Sequence, residues 1–404
     1  MINIKKRYLE NLFSFEASFL LFLNAGFFQN LGFLSFITTK IHIIIIFAII
    51  NIISGLYILF IKKKCFIKRN NFNIFVLFVI FCIYVLLSYI NTYGFPKADS
   101  KFLQFMFILP WCSFASLLII DNKKRAFRFI CFLFIVGFIF SCNAIFSVLV
   151  LGNEVEGYHR VGRMSGALIL LSIIFLLNFK NKKCKFMMFS LIIIYILGLF
   201  SSAHRAGVIS LIMTLIVMLI FYLKKSKDSI LNRKSLIYIL IFIILVSGVL
   251  LKVSDKSHYL ISRLNSLYYS ISSGNNSRLL MYKESLKVWS KHPIFGVGIG
   301  GFSQSTGLNK WRHPHNIYIE LLLEFGIIGF GLFVTYMFIW VPSIIKLNYK
   351  NDITIFSLII LFIFLFINIM ISGDIVDNRL FFSLIGILTS SIFSEIRKYK
   401  KIDL

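Results

Sequence analysis

What most limits this chain is a succession of apolar runs, each near twenty residues long, joined by short polar clips. A helix of about twenty residues rises about 30 Å, enough to cross the hydrocarbon layer of a bilayer. Water is absent there, so each run must satisfy its own backbone groups as a helix. Spans are expected near 11–30, 41–61, 72–90, 102–120, 129–150, 164–179, 187–202, 206–223, 236–253, 317–340, 355–372 and 381–395. That makes twelve, with a very tight turn between the seventh and eighth. The composition agrees, since 58% of the 404 residues are apolar and only 15% are charged. Soluble domains carry about 25% charged residues, so a cytosolic enzyme and a disordered chain are both excluded. The expected fold class is an all-α polytopic membrane protein.

Its net charge of +27 is informative through placement. With both termini on one side, 27 of the 43 basic residues fall on that side. Seven lie in short loops opposite, eight in one long segment between the ninth and tenth spans, and Lys252 at the outer end of the ninth span. This positive-inside bias makes both termini cytoplasmic and assigns the charge to orientation and to contact with membrane lipids rather than nucleic acid. The apolar run after Lys5-Lys6-Arg7 contains Glu16 and lacks a small-residue cleavage site, so it reads as a retained span and not a cleaved signal peptide. The six cysteines show no disulfide or metal spacing and read as packing residues. The organisation expected is a membrane bundle of about nine spans over 1–253, an outer-face segment with amphipathic helices over 254–316, and three spans over 317–404.

Within the outer segment, residues 278–291 put Leu279, Tyr282, Leu286 and Trp289 on one helical face and Lys283, Glu284, Lys287 and Lys291 on the other. That pattern predicts a helix lying at an interface or over a cavity, capped by Asn276 or Ser277 and stopped by His292-Pro293. A second, shorter amphipathic helix is predicted around 259–271. The run Gly296-Val297-Gly298-Ile299-Gly300-Gly301 follows a helix rather than a strand, and reads as a flexible loop and not a phosphate loop.

Several polar groups stand at the outer ends of spans. Arg205, in Ser201-Ser202-Ala203-His204-Arg205, cannot shed its proton, so it either snorkels to the headgroups or pairs with an anion. Arg278 opens the interface helix, where backbone N–H groups already favour an anion, though a solvated surface arginine fits as well. Arg160 and Arg163 add cation at the outer end of span six. In Arg312-His313-Pro314-His315-Asn316 the proline is placed to start a helix, and Asn316, Glu320 and Glu324 share one face of it. Two carboxylates in a span mark function or a buried polar network. His315 at its mouth can act as a general base near neutral pH. Asp374, Asp377 and Arg379 read as an Asp–Arg pair shaping the last outer loop.

Taken in order, these stretches resemble the bacterial O-antigen ligase family, within a wider ligase and polymerase superfamily. The resemblance covers about residues 158–390, and the first five spans match in hydropathy alone. It is carried by Arg163-Met164-Ser165-Gly166, Ser202-Ala203-His204-Arg205-Ala206, Ser277-Arg278-Leu279 with His292-Pro293, His313-Pro314-His315-Asn316 through Glu320 to Glu324-Phe325-Gly326, and Ser372-Gly373-Asp374 with Arg379. His204 departs from the serine or threonine common before that arginine. The resemblance implies a twelve-span fold related to the GT-C glycosyltransferases, in the bacterial inner membrane with its site facing the periplasm. The donor would be an undecaprenyl-diphosphate-linked glycan and the acceptor a lipid A–core sugar, with no metal or other cofactor. It implies that Arg205 and Arg278 grip the diphosphate and that His315 serves the acceptor hydroxyl, with Arg163, His313, Asn316, Glu320, Asp374 and Arg379 in support. A polymerase on the same lipid carrier and a lipid-linked sugar transporter are the competing readings.

Overall fold

The computed structural model describes residues 14–29, 42–61, 69–153, 155–223, 277–345 and 352–402. Among these every regular element is helical: α1 (Phe15–Leu23), α2 (Ala25–Phe28), α3 (Ile43–Leu56), α4 (Arg69–Ser88), α5 (Pro96–Ile119), α6 (Lys123–Leu149), α7 (Tyr158–Asn178), α8 (Lys182–Ser201), α9 (Arg205–Leu223), α10 (Ser277–Trp289), α11 (Phe302–Ser305), α12 (Ile317–Phe338), α13 (Val341–Ile345), α14 (Ile353–Ile371) and α15 (Arg379–Ile402). Nine helical stretches among the described residues are long and apolar enough to cross a membrane, and Arg205–Phe221 is a shorter apolar one. The protein is therefore an all-α polytopic membrane protein. The predicted run 11–30 is broken at Asn24 into α1 and α2. The predicted span 236–253, the helix around 259–271 and the Asn276 cap lie outside the described residues.

The chain divides into two compact units. One takes its described residues from Met1–Tyr57, Lys124–Tyr269 and Lys350–Asn368. Its centre is α7, the most deeply buried span, flanked by α8 and α9. Small residues let α6 approach α7 and α8: Ser141 of α6 and Ser165 of α7 share a 2.9 Å hydrogen bond, and Gly198 of α8 lies against Ser141. Glu16, fully buried in α1, accepts from Arg125 Nε at 2.6 Å, which answers the acid that sets this run apart from a plain apolar one.

The second unit takes its described residues from Ile58–Lys123, Ser270–Tyr349 and Ile369–Leu404. Here α12 packs on α4, and α5 packs on α15. Phenylalanine fills the space between: Phe81 lies 5.8 Å from Phe105, 6.0 Å from Phe325 and 5.7 Å from Phe333 between ring centres. Such aromatic pairs are favoured at these separations.

Midway along α12, Gly326 takes φ 61° and ψ −166°, a backbone state reserved for glycine, and the helix breaks there. A break frees carbonyls on one side and N–H groups on the other, which in a bilayer must find partners. The segment 293–298 and a tyrosine supply them. Val297 N–H donates to Leu323 O at 2.9 Å, Gly298 N–H to Glu324 O at 2.8 Å, and Tyr84 Oη–H to Phe325 O at 2.7 Å. In return Ile327 N–H donates to Pro293 O at 2.9 Å. The glycine run is thus a docked strap rather than a flexible loop. Its glycines are there because a Cβ on Gly298 would stand 2.5 Å from Ser88 O.

Helix α10 forms and stops as expected. Met281 and Ser285 are its buried positions, and Met281 packs with Phe302 and Leu323. Leu279 and Leu286 stay exposed beside Lys283 and Lys287. The stripe turned inward is the one that fits the side of broken α12. Replacing Gly326 with alanine is expected to cost about 1–3 kcal/mol in backbone strain alone, read as a lower unfolding midpoint of the purified protein in detergent.

Candidate active site

In the second unit, polar side chains converge at the start of α12. Asn316 caps the helix, its Oδ1 accepting from Tyr318 N–H at 3.0 Å and Ile319 N–H at 3.2 Å. The helix begins at Ile317, so Pro314 lies before the cap, buried, rather than in the first turn. His315 enters the cap with φ 61°, a left-handed conformation unusual for a side chain of its size. This turn brings His315 Nδ1 to 3.1 Å from His313 Nε2, with ring centres 4.3 Å apart. On its other side, His313 Nδ1 is 3.6 Å from Asp374 Oδ2, and Arg312 Nε is 4.0 Å from the same oxygen. Asp374 is therefore turned to Arg312 and His313, and among the described residues no ion pair joins it to Arg379. Arg379 instead opens α15, half-exposed.

The loop carrying Asp374 is irregular yet buried, so its backbone groups need fixed partners. Asp374 Oδ1 accepts from Asp377 N–H at 2.9 Å, and Asn378 Nδ2 donates to Asp374 O. Ile375 N–H donates to Glu320 Oε1 at 3.2 Å. One turn down α12, Glu324 lies on the same face, as the spacing predicts.

Neither glutamate stands alone. Lys101, on the buried stripe of α5, places Nζ 2.5 Å from Glu320 Oε1 and 2.7 Å from Glu324 Oε1. All three side chains are 0% exposed. Unpaired charge in this setting would be prohibitive, and each member is tolerable because the others are present. Lys101 escaped the sequence reading because the span was expected to start at 102, which left the lysine in an outer loop. Pro96 in fact starts the helix, so Lys101 sits more than a turn inside it. The signal for it was the pair of carboxylates on α12, which demands a cation at matching depth.

In the first unit the backbones of α7 and α9 touch at Gly162 and Gly207. A Cβ on Gly207 would lie 2.9 Å from Gly162 O. This brings the second turn of α7 to the first turn of α9, with Arg163 beside Gly162 and Arg205 opening α9. Arg163 Nε donates to Asn368 Oδ1 at 2.9 Å, and Asn368 Nδ2 donates to Ser210 Oγ at 3.3 Å. Asn368, fully buried, was not anticipated. His204 is 2% exposed, packed over both glycines and edge-on to His159 at 5.1 Å. Ala203 makes the expected tight turn with φ 48°. An apolar cavity of about 370 Å³ in this unit is lined by Phe127, Phe134, Phe175, Phe179 and Met187, at the end of α7 remote from Arg163.

The structure thus groups His313, His315, Asn316, Glu320 and Asp374 in one unit, with Arg278 half-buried in the first turn of α10 of the same unit. Arg163 and Arg205 belong to the other. The second unit is thus a helical membrane body with a histidine pair, an aspartate and buried charge at the head of one broken span. Residues 188–334 match a family model described as O-antigen ligase. The match bears out the resemblance read from the sequence, and it includes Arg205, Arg278, His313, His315, Glu320 and Glu324. No curated protein matched the chain. Lys101, Arg163, Asp374 and Arg379 lie outside the matched stretch.

Converting Lys101 to methionine would leave two carboxylates facing each other without a cation. The expected result is a loss of about 3–5 kcal/mol of stability, seen as reduced yield and an earlier melt in detergent.

Proposed function

We propose that this protein is a glycosyltransferase that moves O-antigen glycan from undecaprenyl diphosphate to a lipid A–core sugar. The observation that carries the reading is the Asp374–His313–His315 series at the head of α12, inside a chain that matches an O-antigen ligase family model over residues 188–334. In this reading the fold has twelve spans of GT-C type. It sits in the bacterial inner membrane with both termini cytoplasmic, and the long segment 254–316 and the site face the periplasm between bundles 1–253 and 317–404.

No ATP reaches that face, so the substrate must arrive already activated, and a lipid diphosphate is such a substrate. His315, its Nδ1 held by His313, accepts the proton of the acceptor hydroxyl on Nε2. The hydroxyl oxygen attacks the anomeric carbon in line. The bond from that carbon to the diphosphate oxygen breaks, its electron pair leaves with the lipid diphosphate, and the configuration inverts. His313 and Asp374 stabilise the positive charge gained by His315, as a carboxylate behind a histidine base does in other acyl- and group-transfer sites.

Arg205 and Arg278 take the diphosphate. Arg278 adds a guanidinium fork to the N-terminal turn of α10, where an anion is already favoured. Arg163, held by Asn368, supports as a further cation of the first unit. Fixed cations in a water-poor site neutralise the leaving group, which is the work a metal would otherwise perform. Glu320, Asn316 and Arg379 shape the surrounding backbone.

Purified enzyme given a labelled lipid-diphosphate glycan and a lipid A–core acceptor is expected to transfer label to the core, with chelator present or absent. His315→Ala should lower the rate by at least about a hundredfold, and Arg278→Ala should chiefly raise the donor KM. Full activity in His315→Ala, or loss of activity with chelator, would overturn the mechanism. The polymerase reading shares this chemistry and differs in acceptor. Label appearing on lengthened lipid-linked glycan, with none on the core, would favour it.

A further inference from the structure

The loop that carries Asp374 connects α14 to α15 without helix or ladder of its own, although Asp374, Ile375 and Val376 are buried. Its position relative to His313 must come from specific contacts. One of these leads out of the loop into α12 and on to α5: Ile375 N–H donates to Glu320 Oε1 at 3.2 Å, and that same oxygen holds Lys101 Nζ at 2.5 Å. Lys101 also takes Glu324 Oε1 and Oε2 at 2.7 and 2.8 Å, so the ammonium cannot swing away from the carboxylates. Hydrogen bonds and one ion cluster therefore lead from Lys101 through Glu320 to the Ile375 backbone; its chain neighbour Asp374 then places Oδ2 3.6 Å from His313 Nδ1, and His313 meets His315.

We propose that Lys101 is a positioning residue for the transfer reaction. By clamping Glu320 it fixes the Ile375 amide and so holds Asp374 against the histidine pair. The inference rests on the reading of His315 as the base, and it assigns a role in that reaction to the first spans, which the family match does not reach. Lys101 touches no substrate. Its effect is on geometry, and a misplacement near 1 Å in such a site costs on the order of a hundredfold in rate.

Removing the lysine alone would confound position with buried charge. The informative variant replaces the whole triad, Lys101→Met/Glu320→Met/Glu324→Met, because well-packed apolar side chains often substitute for a buried ion triad without loss of stability. It keeps the core filled and deletes the acceptor for Ile375 N–H. In the detergent transfer assay, the triple variant is expected to melt near the parental temperature, with kcat lowered about 10–100-fold, donor KM unchanged, and faster hydrogen exchange at the Ile375 amide. Glu320→Leu, which retains the Lys101–Glu324 pair and also removes the acceptor for Ile375 N–H, should lower kcat in the same direction and decides the matter should the triple variant fail to accumulate. Parental kcat in a variant of parental stability overturns the proposal. So does a loss of rate that merely tracks an equal fall in melting temperature in both variants. His315→Ala run alongside separates the two ideas. If it is inactive while the triad variants are normal, only the positioning role of Lys101 falls; if it too is fully active, the reading of the site falls.

Discussion

One ammonium between two carboxylates, sealed from solvent, is the interaction around which the second unit is arranged. Lys101 is carried by α5, and Glu320 and Glu324 by α12. Because charge at that depth tolerates little displacement, the two helices are fixed in register as well as in proximity. A purely apolar contact between the same helices would tolerate sliding by part of a turn. The ion cluster does not, since a shift along either axis would strand a charge. The price is desolvation of three groups, and the return is a defined geometry at the head of α12, where Asn316, His315 and His313 follow directly in sequence.

The break at Gly326 works with that arrangement. A continuous helix would keep the carbonyls of Leu323, Glu324 and Phe325 within its own ladder. The break offers them to Val297, Gly298 and Tyr84 instead, tying the outer segment to the middle of a span. Helix α10 is held to the same region through Met281 against Leu323. Thus Arg278, the histidine pair and the Asp374 loop are mounted on one connected piece of structure, although they come from distant parts of the chain. In the first unit the comparable device is the contact of Gly162 with Gly207, which sets Arg163 and Arg205 on adjoining helical turns.

What could be read from the sequence was what is local. Helical class, the positions of most spans, the Asn316–Glu320–Glu324 row and the stop at His292-Pro293 all follow from periodicity and from end signals a few residues long. The Ser202–His204 turn was legible for the same reason. Lys101 was not, because its partners are 219 and 223 residues away and a lysine at the edge of an apolar run looks like a loop cation. Asp374 was matched to the nearest arginine in sequence, whereas folding gives it Arg312 and His313. The glycine run was undervalued since its worth lies in backbone approach, which leaves no side-chain pattern to detect.

The strap across the break in α12 also bears on how the chain is made. Synthesis runs from the N-terminus, so Tyr84 and residues 293–298 emerge before Leu323–Gly326. The donors are already waiting when the interrupted span reaches the bilayer, and its exposed carbonyls need not meet lipid unprotected. A circularly permuted chain, in which α12 left the ribosome ahead of the strap, would present those same carbonyls to hydrocarbon with nothing to receive them. The order of translation is in this sense part of the information that lets a bent span enter a membrane.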